Sequence, residues 1–172
     1  QTLGLTGFGA SAHLVIKAAR WLHPKSPVFV FARSEKERAF ARELGAEWTG
    51  ASGDQPPQLL DAIIDTTPVW QPVVDALRCL APGGRLVINA IRKEASDKPA
   101  LMQIDYADHL WMEKEIKSVA NVTRRDVNEF LALSARIGIR PEVELYPLEE
   151  ANRALAELKA GQIRCAKVLV FS

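Results

Sequence analysis

At 172 residues, the chain suits one domain, or one domain with a fragment of another, and is long enough to bury a core. Hydrophobic residues make up 48 % and charged residues 25 % of the sequence, a globular composition that excludes a disordered chain. The formal charge of +1 provides no field for nucleic acid or an anionic membrane surface, so neither is expected as a partner.

The chain begins with a predicted strand at residues 2–6, which runs into the turn Gly7-Phe8-Gly9-Ala10-Ser11-Ala12 and then into a predicted helix. A strand, a Gly-x-Gly-x-x-Ala turn and a helix in this order are typical of a loop that binds a dinucleotide. Gly7 allows the tight turn, Gly9 lets a pyrophosphate approach bare backbone, and Ala12 lets the helix pack closely on the strand. The helix N-terminus offers free N–H groups to the phosphates. The alternative interpretation is a tight strand–helix turn that holds no ligand.

Beyond this turn, predicted strands and helices alternate. Strands are predicted at residues 27–31, 47–49, 61–66, 85–91 and 116–122, and helices at residues 35–44 and 71–80. Gly45 follows the first of these helices as a C′ glycine, and Pro82-Gly83-Gly84 is expected to stop the second. Apolar strands separated by helices favour a parallel sheet covered on both faces. With right-handed crossovers, this predicts an α/β fold of the Rossmann type, a doubly wound six-stranded parallel sheet with helices on both faces.

The last third of the chain departs from this alternation. A helix is predicted at residues 125–137, a half-exposed strand at 142–146, a helix at 148–160 and a final strand at 167–171. The two late strands have no place in a six-stranded parallel sheet. We therefore expect residues 1–139 to form a nucleotide-binding domain, and residues 140–172 to form a βαβ-like tail that belongs partly to another domain.

The end of the second predicted strand bears on the choice of cofactor. In NAD-binding folds, an acidic residue at this point bonds the ribose 2′-hydroxyl. Here the strand ends in Ala32-Arg33-Ser34, without an acid. Arg33 can pair with a 2′-phosphate and Ser34 can donate a further hydrogen bond, while Lys36 and Arg38 lie within a turn and could reinforce the site, so NADP is favoured over NAD. Two alternatives keep NAD open: Arg33 lies over the adenine ring or in solvent, or Glu35 replaces the missing acid.

The cysteines and the N-terminus of the chain bear on the cellular compartment of the protein and on whether the chain is part of a longer one. Cys79 and Cys165 are too few for a disulfide framework and are expected as reduced thiols in the cytoplasm. No run reaches the roughly 18 apolar residues of a membrane span, and no secretion signal is visible. The chain starts at Gln1, not Met, and enters its first strand at once, so we expect a piece of a longer protein.

Motifs spaced along the whole chain agree in order with those of one family. They are LGLTGFGASAH (3–13), ARELGA (41–46), ALRCLAPGGRLV (76–87), TRRD (123–126), LEEANRAL (148–155) and GQIRCAKVLV (161–170). The chain thereby resembles the medium-chain, zinc-type alcohol dehydrogenases. Cys165 is a departure, since the family often has Gly at that position.

The resemblance implies a set of cofactor contacts. It places the pyrophosphate on Gly7, Phe8, Gly9, Ala10 and Ser11, the 2′-phosphate near Arg33, Ser34 and Arg38, and the nicotinamide ribose and ring against Thr66, Thr67, Pro68, Asn89 and Ala90. The last group follows two strands, and ligands bind at the carboxyl ends of parallel strands. For Thr66, Thr67 and Asn89, ordinary turn chemistry at a strand end is an equally good interpretation.

The resemblance also implies parts that this chain lacks. Such enzymes carry an N-terminal catalytic domain with a zinc ion, held by Cys and His ligands with one open position. The histidines and cysteines here have no ligand spacing, so no catalytic or metal-binding residue is expected in the chain. His13 is interpreted as structural or phosphate-adjacent, His23 as a helix cap, and His109 as part of a surface segment. The two late strands would lack sheet partners, and the sixth strand would be the edge through which a homodimer forms.

The leading hypothesis is the NADP-binding domain of a zinc-type alcohol dehydrogenase, inactive on its own because the reaction site is completed elsewhere. In the intact enzyme, hydride would pass between the nicotinamide and an alcohol or aldehyde. Three alternatives stay open: a zinc-independent quinone or enoyl reductase, a non-catalytic module that senses NADPH, and an S-adenosylmethionine methyltransferase. Ala32 disfavours the last, since such enzymes usually need an acid there for the ribose hydroxyls.

Overall fold

A computed structural model describes residues 1–161 and 166–171 of the chain. The strands of its main sheet are β1 (Leu3–Thr6), β2 (Val28–Phe31), β3 (Trp48–Gly50), β4 (Leu60–Asp65), β5 (Leu80–Ile88) and β6 (Glu115–Ser118). They lie in the order β3-β2-β1-β4-β5-β6, and every neighbouring pair is parallel. This arrangement confirms the predicted six-stranded, doubly wound sheet.

Helices connect these strands and follow the last of them. In the described ranges, the α-helices are α1 (Ala12–Leu22), α2 (Glu35–Glu43), α3 (Gln71–Arg78), α4 (Arg124–Ile137) and α5 (Ala151–Lys159). Helix α2 has clear local causes, because Ser34 and Glu37 form a reciprocal capping box at its start and Gly45 follows its end with φ +95°. Between β5 and β6 the chain forms a 3-10 turn at Lys98–Gln103 and a π-helical turn at Tyr106–Leu110, neither of which the sequence predicted.

The sheet is buried on both faces because its central strands carry apolar side chains in succession. Leu5 lies in one cluster with Ile16 of α1 and Phe40 of α2. Phe31 lies in a second cluster with Leu77 of α3. Full burial of such a side chain contributes roughly 1.5–3 kcal/mol, so the two clusters fix the helices against the sheet. The turns at the carboxyl ends of the strands are thereby held on a rigid frame.

Strand β5 differs from the prediction at its start. It begins at Leu80 and runs through Pro82-Gly83-Gly84, and its register against β4 shifts in this region. The prediction that these residues stop the preceding helix is therefore wrong, since α3 ends at Arg78. The irregular register accommodates a proline, which has no N–H for the sheet ladder. Strand β6 is shorter than predicted, ends at Ser118 and is exposed along its length.

The tail forms a second, smaller sheet. Strands β7 (Val143–Pro147) and β8 (Ala166–Val170) pair in parallel, and α5 lies between them in the chain. The βαβ-like tail is confirmed, but the expectation that both strands lack sheet partners is wrong, because they pair with each other. The Tyr146 hydroxyl donates to Glu157 of α5 at 2.6 Å, and Lys167 pairs with the same carboxylate at 2.6 Å. The expectation for Cys165 falls outside the described residues.

Candidate functional site

A groove runs across the carboxyl ends of β1, β2, β3 and β4. It encloses about 870 Å³ and is also lined by the C-terminal end of α5. The candidate residues that line it are Gly7, Phe8, Gly9, Arg33, Thr66, Thr67 and Pro68. The candidates outside its lining are Ala10, Ser11, Ser34, Arg38, Asn89 and Ala90. Because β1 and β4 are neighbours, the groove lies where the strand order reverses, the usual place for a ligand in this architecture.

The two glycines of the first turn have different surroundings. Gly7 has φ +78°, and a Cβ there would lie 3.0 Å from both Thr66 Oγ1 and Thr67 Cγ2. A Cβ on Gly9 would meet no atom within 4 Å. Gly7 is therefore required by the protein itself, whereas Gly9 leaves open space against bare backbone. Phe8 offers only its backbone, since its side chain is buried with an edge-on contact to Phe40 at 5.6 Å.

The N-terminus of α1 lacks the side-chain capping that α2, α3 and α4 have. Ser11 stands at the N-cap position without a side-chain capping bond, and the first turn holds no acidic residue. By contrast, α2 and α4 begin with complete capping boxes. Asp97 accepts the N–H groups of Trp70 and Gln71 at the start of α3. The uncapped N–H groups of α1 adjoin the open backbone of Gly9, which is the arrangement that binds an anion.

Of the three candidates for a 2′-phosphate, Arg33 alone has a free side chain in the described part of the chain. It is exposed and lines the groove, and no hydrogen bond or ion pair there involves its guanidinium. The Ser34 hydroxyl donates to Glu37 at 2.8 Å and accepts from the Glu37 N–H. Arg38 donates to the carbonyl of Ala32 at 2.8 Å and pairs with Glu35 at 3.0 Å. The structure thus brings Arg33 to the groove and engages Ser34 and Arg38 within the protein.

Glu35, the candidate substitute for the missing acid, is held by two guanidinium groups. Arg42 and Arg38 both pair with its carboxylate. The hydrogen bond from Arg42, and after it the one from Arg38, lowers the pKa of Glu35. Glu37 lines the groove but is engaged as the capping residue of α2. The Arg33 guanidinium therefore faces the groove, and no acid among residues 1–161 and 166–171 pairs with it.

Strand β4 ends in a polar network that the sequence analysis missed. Asp65 is fully buried, and its carboxylate accepts from Thr6 Oγ1 at 2.6 Å and from Thr67 Oγ1 at 2.7 Å. Lys93 Nζ lies 2.5 Å from the same carboxylate. Thr66 Oγ1 donates to the Thr6 carbonyl at 3.0 Å. The threonines thus have turn contacts of their own while they line the groove. The sequence offered one signal of this network, an aspartate at the end of an apolar strand.

Comparison with known proteins identifies homologues of the chain. No family model matches the chain. The chain is 39 % identical over 169 residues to the Mycobacterium tuberculosis protein named "Probable alcohol dehydrogenase AdhA", a match that covers 98 % of this chain and 47 % of that protein. Over nearly its whole length, the chain is thus homologous to about half of an alcohol dehydrogenase of the medium-chain family. It spans about half the length of the curated relatives it matches.

Solved structures of similar proteins share the fold. An alcohol dehydrogenase from Aeropyrum pernix superposes with a TM-score of 0.82 at 18 % identity, over 99 % of this chain and 50 % of that one. A CAD from Helicobacter pylori, complexed with NADP(H), superposes with a TM-score of 0.79 at 21 % identity, over 97 % of this chain and 47 % of that one. At these identities the likeness establishes the fold, and it agrees with the Rossmann-type sheet described above.

The tail also reaches the groove. Leu158, Lys159, Ala160 and Gly161 contribute to the lining, and a Cβ on Gly161 would lie 3.7 Å from Nη2 of Arg33. The sequence predicted the helix that ends here. It carried no signal that this end would lie beside the turn after β2, because that contact joins distant parts of the chain.

The three histidines of the chain have structural surroundings. His109 is fully buried, so its assignment to a surface segment is wrong: Arg78 Nε donates to its Nε2 at 3.1 Å, and its Nδ1 lies 3.0 Å from the Asp105 carbonyl. His13 is buried behind the glycine turn, with Nδ1 3.3 Å from the Gly9 carbonyl. His23 forms the C-cap of α1, as predicted.

The described residues hold neither a cluster of metal-ligating side chains nor a helix that could span a membrane. No group of three or more His, Cys, Asp or Glu side chains in residues 1–161 and 166–171 is arranged to hold a metal ion. None of the helices in these ranges combines the length and apolar character needed to cross a bilayer.

Proposed function

We propose that the groove binds a nicotinamide dinucleotide, as the cofactor-binding domain of an alcohol dehydrogenase-like oxidoreductase. The observation that carries this proposal is the open backbone at Gly9, which adjoins the uncapped N-terminus of α1. A pyrophosphate fits such a site because it can accept several backbone N–H groups and is favoured by the helix dipole. The NADP(H) complex of the H. pylori relative supports the same class of ligand.

We further propose that NADP(H) is preferred over NAD(H). The support is the Arg33 guanidinium, which faces the groove where an acid would otherwise bond the ribose. A guanidinium can hold a phosphate with two parallel hydrogen bonds. Arg38 contributes indirectly, since its Nη1 donates to the carbonyls of Ala32 and Arg33 and holds the end of β2 in place.

In the proposed reaction, this chain binds and orients the cofactor. A bound nicotinamide would exchange hydride with the substrate carbon. We assign Thr66, Thr67, Pro68, Asn89 and Ala90 to the nicotinamide ribose and ring, as the resemblance implies. The described His, Cys, Asp and Glu side chains do not fit a zinc site, so the zinc of a zinc-type enzyme would be held outside them and no step is assigned to it.

The test is a fluorescence titration of the chain with NADPH and with NADH. We expect Arg33→Asp to weaken NADPH binding on the order of tenfold or more, because a charge-assisted phosphate contact becomes a repulsion. The matched control is Lys25→Asp, which introduces the same acid at an exposed basic residue that precedes β2 and lies outside the groove lining. Equal affinity of the unaltered chain for NADPH and NADH contradicts the role of Arg33. Failure to bind either nucleotide contradicts the proposed function.

We also propose that two copies associate through β6 and that the protein works in the cytoplasm. Strand β6 forms one edge of the sheet, and Ile116 on it is 42 % exposed. The buried Cys79 thiol, which forms no disulfide, supports a reducing compartment. Sedimentation of the unaltered chain and of Ile116→Lys tests the association. We expect a dimer that the lysine weakens, and a monomer in both cases contradicts it.

A further inference from the structure

The carboxylate of Asp65 is enclosed below the groove. Its side chain is 0 % exposed, and it accepts hydrogen bonds from Thr6 at the end of β1 and from Thr67 in the turn after β4. A buried carboxylate is costly unless a cation and hydrogen-bond donors compensate its charge. The compensating cation is Lys93, which comes from the loop after β5, and its Nζ lies 2.5 Å from Asp65 Oδ2.

The ammonium of Lys93 makes further contacts beyond this ion pair. It donates to the Thr67 carbonyl at 2.9 Å and to the Val69 carbonyl at 2.7 Å. An ammonium has three donors, so Asp65, Thr67 and Val69 account for all of them. The Lys93 side chain is 9 % exposed. It is therefore a largely buried cation that joins the loop after β5 to the turn after β4.

Two neighbours of Lys93 hold the same turn. The Glu94 N–H donates to the Pro68 carbonyl at 2.7 Å. Asp97 Oδ2 accepts the Trp70 N–H at 2.7 Å and the Gln71 N–H at 2.8 Å. The loop after β5 thus contacts the backbone of residues 67–71 at several successive points, and Lys93 supplies the charged contact.

The contacts of Lys93 matter for the groove because the turn that Lys93 holds forms part of the groove lining. Thr66, Thr67, Pro68 and Val69 line the groove, whereas Lys93 does not. Lys93 therefore acts through the residues whose carbonyl groups it holds. We infer that Lys93 is a positioning residue, which fixes the turn after β4 as one wall of the dinucleotide site. This role rests on the proposed function. Without the ammonium, Asp65 and two carbonyls lose their donor, the turn relaxes, and binding must first restore its order.

The test compares three variants with the unaltered chain by NADPH titration, thermal unfolding and hydrogen exchange of residues 66–71. Lys93→Met removes the donor and leaves Asp65 as an unpaired buried charge. Asp65→Asn/Lys93→Met removes both charges and so separates positioning from stability. Arg92→Met is the matched control, because Arg92 is adjacent and exposed and lies outside the groove lining.

We expect Lys93→Met to lower the Tm and to weaken NADPH binding about tenfold or more. The double variant should recover much of the Tm, because no charge remains buried, but should keep the weak binding and the faster exchange at residues 66–71. Arg92→Met should resemble the unaltered chain. A double variant that binds NADPH as well as the unaltered chain, or exchanges at the same rate, overturns the positioning role. If the unaltered chain binds no NADPH, the proposed function fails. If hydrogen exchange at residues 66–71 is the same in the variants as in the unaltered chain, Lys93 does not hold the turn in place.

Discussion

Alanine substitutions at Gly7 and Gly9 should differ in effect, because the first should lower the stability of the fold and the second should weaken the binding of NADPH. Gly7 has φ +78°, and an added Cβ would lie 3.0 Å from Thr66 Oγ1 and from Thr67 Cγ2. A left-handed conformation costs a non-glycine residue roughly 1–2 kcal/mol, and the close contacts add to that cost. Gly7→Ala should therefore lower the free energy of unfolding by about 2 kcal/mol.

Gly9→Ala should leave stability nearly unchanged. Its Cβ would meet no atom within 4 Å, and its φ lies outside the left-handed range. A surface substitution of this kind changes the free energy of unfolding by about 0.5 kcal/mol or less. The same methyl group would stand where a pyrophosphate has to approach the backbone. We expect NADPH binding to weaken at least about tenfold, which corresponds to about 1.4 kcal/mol.

Urea unfolding and NADPH titration of both variants provide the assay. The expected pattern is a destabilised Gly7→Ala chain, and a stable Gly9→Ala chain that binds poorly. If Gly9→Ala binds NADPH like the unaltered chain, the turn does not hold the pyrophosphate. If Gly9→Ala loses as much stability as Gly7→Ala, the space around Gly9 is not open as described.

Two further predictions concern titratable groups away from the groove. Burial raises the pKa of the Cys79 thiol to about 11, so iodoacetamide at pH 8 should label Cys79 only after unfolding in urea, as peptide mapping can show. Labelling of Cys79 in the folded chain contradicts this. In the tail, hydrogen bonds from Lys167 hold the pKa of Glu144 and of Glu157 below the ordinary 4.5. A carboxylate whose pKa is lower in the folded chain stabilises the fold above its ordinary pKa of 4.5, and this stabilisation is lost as the pH falls below that value. The free energy of unfolding, measured in urea, should therefore decline below pH 4.5, and it should decline less steeply in Glu157→Gln. Identical pH profiles for the two chains refute the assignment.

Features with local causes could be predicted from the sequence. The apolar run of β2 and the helical spacing of α2 each lie within a few residues, so pattern and spacing were enough. The turn from Gly7 to Ser11 was equally local. These elements repeat in a regular alternation, and the connection rules for parallel sheets then determine the fold.

Features that depend on distant partners could not be predicted. Asp65 and Lys93 are 28 residues apart, and only the fold brings them together. His109 follows acidic and polar residues that are typical of a surface, yet a π-helical turn places it beside Arg78 of α3. The sequence likewise placed Arg38 near a phosphate, although its guanidinium is engaged with the Ala32 carbonyl. Residue type indicates the chemistry that is available, but contacts decide which groups are free.

The most direct test of the central claim is a backbone amide NMR titration of the 15N-labelled chain with NADPH. If the turn after β1 holds the diphosphate, the largest shifts will fall on the amides of Gly9, Ala10, Ser11 and Ala12, with Arg33 responding to NADPH more than to NADH. Shifts that avoid this turn while they appear elsewhere, or no shifts at all at saturating nucleotide, would contradict the account.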